Sequence, residues 1–180
     1  LYASAQTNGS ATTPIVPALR IFPVGTGLPT STVSTVANLA GIPLRTGAQV
    51  VGVDPTTNPN QMVMLDLSGD VPGVDTMYVA DENNAAIGNT ASGGIQKWSL
   101  VGGNWVWNGT VAALGARGLT AFTTSGPGVS IFATTGSSFS ATGGGTLWSH
   151  LDTGGYNTPF TGTATTLATL SSGSNRAFRG

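Results

Sequence analysis

The sequence predicts an all-β chain made of about three four-stranded antiparallel sheets lying side by side, without enough units to close a ring. Three observations predict it. The apolar runs are short and bounded by Gly, Asn, Asp or Pro, which is the pattern of strands. A strand-by-strand pattern recurs three times along the chain. Helix signals are weak: the best stretch, residues 35–40, starts on β-branched Thr35 and Val36 and soon meets Gly41 and Pro43, so a single turn or a strand competes with it.

The last unit is the clearest. Residues 118–122 predict an inner strand, and residues 123–128 a turn, because Pro127 fixes φ and the neighbouring glycines accept unusual angles. Residues 129–134 form the second strand. A Ser- and Gly-rich loop runs to Gly145, and residues 146–151 form the third strand. Asp152, Thr153, Gly154 and Gly155 turn the chain into a fourth strand at 163–170. Four antiparallel strands per unit make one blade of a β-propeller.

The middle unit follows the same order. Its first strand is expected at 48–53, its second at 77–80, its third at 95–100, and 104–111 is the fourth strand or part of the turn into it. The link from Asp54 to Asp75 is the main irregularity; within it, residues 62–67 read as an added strand or the outer half of a hairpin. The first unit is partial: Leu1, Tyr2, Ala3 and Ser4 begin at a second-strand position, and residues 19–22 supply a third strand. One domain over 1–180 is expected, with approximate blades at 1–44 (partial), 45–115 and 116–176, and 177–180 opening another, since Ala177, Phe178, Arg179 and Gly180 resemble Gly115, Ala116, Arg117 and Gly118. The matched third strands begin about 51 residues apart, at Ile95 and Thr146, close to the kelch unit length. Propellers usually have four to eight blades, so an incomplete ring is expected to be finished by further chain or by a second copy.

Composition narrows the function. Charged residues are 7% against 39% hydrophobic, and the net charge is -1. Six scattered cations form no basic stripe, which disfavours nucleic acid and anionic membranes. No apolar run approaches the length of a membrane span. Cysteine is absent, which excludes disulfides, thiol catalysis and Cys-based zinc sites. A surface built from Ser, Thr, Asn and Gly is the kind expected of a secreted or cell-surface protein. Asn8-Gly9-Ser10 and Asn108-Gly109-Thr110 match the glycosylation pattern, though Asn-Gly is equally a hairpin dipeptide.

Met77-Tyr78-Val79-Ala80-Asp81, followed by Gly93-Gly94-Ile95-Gln96-Lys97-Trp98-Ser99, resembles the blades of NHL-like and kelch-like propellers of secreted bacterial proteins. Arg117-Gly118-Leu119 opens the next blade in the same style, and Leu1-Tyr2-Ala3 and Ile131-Phe132-Ala133-Thr134 are weaker copies. The resemblance covers residues 45–180 well and 1–41 loosely. It implies a binding or scaffold module, with enzymes in the minority, and carries no catalytic residue to this chain.

Several side chains invite a functional reading. Trp98 and Trp148 fall at equivalent third-strand positions, which predicts packing between blades. Trp105 and Trp107 share one face of a strand beside Asn104 and Asn108. An exposed pair of this kind stacks on a sugar ring or anchors a partner, so Asn104, Trp105 and Trp107 are the ligand-binding candidates. Asp66, Asp70 and Asp75 offer oxygen ligands suited to calcium, the one cofactor considered; their spacing fits no EF-hand, and turn-forming aspartates explain them equally. His150, the only histidine, lies two residues from Trp148 and from Asp152 on one alternating face: a packed histidine, or a His-Asp base. No G-x-S-x-G or H-E-x-x-H pattern is present, and Gly143-Gly144-Gly145 lacks the lysine and helix of a phosphate loop. Lys97 and Arg20 are expected to extend outward from their strands.

The function expected is therefore an extracellular scaffold or binding module that recognises a protein or carbohydrate. The alternatives are part of a secreted hydrolase whose site is completed outside this chain, and a subunit of a surface filament or layer.

Overall fold

The computed structural model describes residues 1–4, 21–24, 37–42, 59–82, 94–111, 113, 115–126, 128–136, 143–173 and 176–178. They form ten strands: β1 (Tyr2–Ser4), β2 (Ile21–Pro23), β3 (Pro59–Leu65), β4 (Thr76–Asp81), β5 (Gly94–Val101), β6 (Asn104–Val111), β7 (Ala116–Thr123), β8 (Val129–Gly136), β9 (Gly145–Asp152) and β10 (Thr165–Leu170). β1 pairs with β2. β3 to β6 form one antiparallel meander and β7 to β10 a second, each in sequence order. The architecture is all-β, and the described sheets do not close into a ring, as an incomplete propeller-like arrangement requires. No helix among the described residues is long and apolar enough to cross a membrane.

The local chemistry explains the strands. β5 and β6 meet across Gly102 and Gly103, whose φ of 56° and 83° make the two-residue turn that matches strand twist. Asp75 closes the β3–β4 hairpin: its carboxylate accepts hydrogen bonds from the Leu67 and Ser68 amides and from the Thr76 hydroxyl. β3 pairs with β4 from Leu65↔Thr76 to Pro59↔Asp81 and so holds the first-strand place that 48–53 was expected to hold. Residues 48–53 lie outside the described part, as do Leu19 and Arg20. β6 is a full fourth strand. Residues 37–40, the described part of the weak helix signal, lead into a turn in which the Ile42 amide bonds the Leu39 carbonyl.

The two meanders repeat each other in detail. β6 carries a bulge opposite Lys97/Trp98, with Asn108 as the extra residue; β10 carries one opposite Leu147/Trp148, with Leu167 as the extra residue. Both first strands are also bulged at their second residue, Asn60 in β3 and Arg117 in β7. A bulge re-aims the side chain it frees. Here both freed residues reach Glu82: Asn60 Nδ2 donates to Oε2 at 3.3 Å, and Arg117 pairs with Oε1. Beside them the β7 edge amide of Leu119 donates to Gln61 Oε1 at 2.8 Å. The inner edges of the two sheets are thus tied together.

Each meander has a leading face, turned toward earlier residues, and a trailing face. The leading face of the middle sheet carries Met77, Val79, Trp98 and Trp105 against Ile21 and Ile42. Its trailing face carries Tyr78, Ala80, Ile95 and Val111 against Leu119, Val129, Ile131 and Ala133 of the last sheet. The middle sheet is therefore covered on both sides, and every residue of β4 is buried. Trp148 does for the last sheet what Trp98 does for the middle one, packing on the sheet before it.

Candidate functional site

The sequence candidates do not converge. Trp105 and Trp107 share the leading face, as the alternation requires, but Trp105 is only 5% exposed. Its amide donates to the Ala40 carbonyl at 2.8 Å, and it packs with Ile42. Trp107 is 41% exposed. Asn104 follows the Gly-Gly turn, out of phase with both tryptophans, and its amide donates to the Gly102 carbonyl. Asp66 and Asp70 are exposed in the β3–β4 loop, whereas Asp75 is buried with its carboxylate committed to the turn. Among the described residues, no group of three His, Asp or Glu side chains is placed to hold a metal. His150 rests edge-on to Phe160 with ring centres 5.1 Å apart, and its buried Nε2 has no hydrogen-bond partner. Asp152 does not serve it, being engaged elsewhere.

That engagement is the main polar feature of the core. Lys97, the only lysine, is buried, contrary to the outward placement expected from alternation. The reason is that Lys97 points from β5 into the interface with the last sheet, where Asp152 meets it. Lys97 Nζ lies 2.7 Å from Asp152 Oδ2 and donates to the Gly155 carbonyl and, at 3.3 Å, to Thr158 Oγ1. The Tyr78 hydroxyl donates to Asp152 Oδ2 at 2.6 Å, and the Gly154 amide to Oδ1 at 2.9 Å. Burial, then the bond to Asp152 and its charge, pushes the Tyr78 phenol far above its ordinary range. A buried charge persists when paired and hydrogen-bonded, and all these conditions are met.

The β9–β10 loop supplies much of this set and straps the two sheets together. The Phe160 amide bonds the Asn108 carbonyl at 2.9 Å, and the Asn157 amide bonds Ser99 Oγ at 3.0 Å. Ser99 Oγ donates in turn to Asn108 Oδ1 at 2.7 Å, and the Tyr156 hydroxyl donates to the Leu100 carbonyl at 2.6 Å. The bulge at Asn108 is what the strap grips. This inter-sheet network escaped the sequence reading. A lone lysine in a chain so poor in charge was the available signal.

The surface with the strongest functional character is the trailing face of the last sheet. Phe122, Leu151 and bulged Leu167 are 52%, 53% and 51% exposed. The Phe122 and Phe132 rings stack at 6.1 Å. A hollow of about 260 Å³ opens where Gln61 meets Gly118, Thr120, Phe132 and Leu147, and a wider one of about 500 Å³ lies toward Ser149, Leu151, Thr165 and Leu167. Against protein-family models, curated proteins and solved structures, the chain finds no match.

Proposed function

We propose that this chain is a scaffold or binding module of the propeller type, akin to the NHL-like and kelch-like repeats it resembles, working outside the cell and recognising a protein. The observation that carries the reading is the apolar trailing face of the last sheet, where Phe122, Leu151 and Leu167 stand about half exposed. Large apolar side chains exposed together on one sheet face, with Ser130, Ser149 and Thr165 between them, are the kind of surface that marks interaction sites. Asp66 and Asp70 lie in the β3–β4 loop, Asp81 at the end of β4 and His150 in β9, and among the described residues they form no cluster, which favours scaffolding over hydrolysis. The Ser-, Thr- and Gly-rich, charge-poor composition supports the extracellular setting. A second reading, carbohydrate binding, is supported by Trp107 alone, whose 41% exposure leaves ring surface for a sugar.

The experiment is site-specific photo-crosslinking on intact cells, with a photoreactive phenylalanine at position 122 or 107. A protein adduct from position 122 supports the main reading. Quenching of tryptophan fluorescence by cellulose, chitin or xylan fragments, lost in Trp107→Ala, supports the second. No adduct from either position and no quenching overturns both, and protein confined to the cytoplasm overturns the location.

A further inference from the structure

We propose that the trailing face of the last sheet docks a second copy of this chain, which seats its leading pair, β1–β2, head to tail upon it. The inference rests on the reading of that face as an interaction surface and names its occupant.

The chain already contains one interface of this type. The trailing face of the middle sheet is covered by the leading face of the last sheet, so the same face of the last sheet can be compared with it position by position. The paired registers and the shared fourth-strand bulge fix the correspondence. Lys97 corresponds to Leu147, Thr76 to Phe132 and Asn108 to Leu167. In the middle sheet Lys97 and Thr76 are fully buried, and Asn108 is held by the strap. In the last sheet Phe132 and Leu147 are half-buried, and Leu167 is open to solvent. The fold repeats, while the cover does not.

The exchanges say what the cover must be. Lys97 is matched by Asp152 across the internal interface. Leu147 offers no charge, so an acid brought against it would be buried without a partner. The last sheet of another copy carries that acid and is a poor occupant. The leading pair fits. Its described residues, 1–4 and 21–24, contain no acid. Ser4 and Ile21 face the middle sheet, since Ser4 Oγ donates to the Asn60 carbonyl and Ile21 packs with Met77 and Val79. The register then places Ala3 and Phe22 on the opposite, leading side. Phe22 is there what Trp98 and Trp148 are in the later sheets: an aromatic directed at whatever precedes it. A second copy thus meets stacked Phe122 and Phe132, and Leu147, with Phe22 and exposed Leu1. The trailing face of each copy meets the leading pair of the other, and a two-fold rotation makes this reciprocal, giving a closed dimer.

Sedimentation velocity of the 180-residue chain from about 1 to about 200 µM tests this, a range that spans weak to moderate affinities. The expected result is a mass that rises from one copy to two. Leu151→Asp with Leu167→Asp, both at exposed positions, should weaken the association at least tenfold without altering the circular dichroism or the melting temperature. Phe22→Asp should do the same from the other side. Mixing Phe22→Asp protein with Leu147→Lys protein should restore a dimer, because each mixed pair joins an acid to a base at one contact. A chain that stays monomeric across the range overturns the inference, as does a dimer indifferent to all of these substitutions. A monomer whose position 122 still crosslinks a different protein sinks the second copy and leaves the interaction surface standing.

Discussion

Lys97 of the middle sheet and Asp152 of the last meet at 2.7 Å with both side chains buried, and the pair joins two sheets that share no strand. Removing one partner strands the other charge out of water. Asp152→Ala is expected to cost about 3–5 kcal/mol of folding stability. The triple variant Lys97→Met, Asp152→Leu, Tyr78→Phe should recover most of that loss, because it removes the charges and the Tyr78 donor together. Urea unfolding followed by tryptophan fluorescence measures both. A loss below about 1 kcal/mol in Asp152→Ala would show that the pair does not hold the sheets.

Tyr78 makes stability fall in alkali. Its hydroxyl is buried on Asp152, so the folded chain keeps the phenol protonated where the unfolded chain ionises, near its ordinary value of about 10. A raised folded pKa contributes stability that is fully present below the unfolded value and is lost as pH climbs above it. Above pH ~10 the unfolded state binds one proton fewer, and this residue alone should remove about 1.4 kcal/mol per pH unit. Tyr78→Phe should flatten the slope by that amount while lowering stability at neutral pH. Equal alkaline slopes for the two proteins would falsify this assignment.

Gly109 is fixed by the strap. Its φ is +138°, and a Cβ there would sit 2.5 Å from the Phe160 carbonyl oxygen, one residue from the bond between the Phe160 amide and the Asn108 carbonyl. Gly109→Ala must both strain its backbone and displace the strap, with an expected cost of about 2–4 kcal/mol. Gly69→Ala, in a loop where a Cβ meets nothing within 4 Å, should change stability by less than about 0.5 kcal/mol. Limited proteolysis supplies a second check, since Gly109→Ala should speed cleavage within 153–162 and Gly69→Ala should not.

Strands written in local alternation and ended by turn residues are legible in the sequence. All four strands of the last sheet fall where residues 118–122, 129–134, 146–151 and 163–170 predict them, give or take two residues. The equivalence of Trp98 and Trp148 was legible for the same reason. What alternation does not encode is which faces are covered. It placed Trp105 and Trp107 together, but residues 37–42 lie on Trp105 and not on Trp107. It gave Lys97 an outward direction, but outward from the middle sheet is the inside of an interface. The hairpin role of Asp75 was likewise hidden, since its partners Leu67 and Ser68 lie a loop away and nothing local separates a turn acid from a metal ligand.

The two third-strand tryptophans, alike in place, should respond differently to the loss of their indole nitrogen. Trp98 Nε1 donates to Gln96 Oε1 at 3.1 Å, and Trp98 is 2% exposed. Trp148 Nε1 is buried without a partner. Trp98→Phe loses volume and a buried hydrogen bond, which together should cost about 2–4 kcal/mol. Trp148→Phe loses similar volume but also removes an unsatisfied donor worth about 1–3 kcal/mol, so the two effects nearly cancel. Equilibrium unfolding by circular dichroism, which does not depend on the fluorescence of either ring, can rank the variants. If Trp148→Phe proves the more damaging, then its indole has a partner in solution, and the leading face of the last sheet is packed differently from that of the middle one.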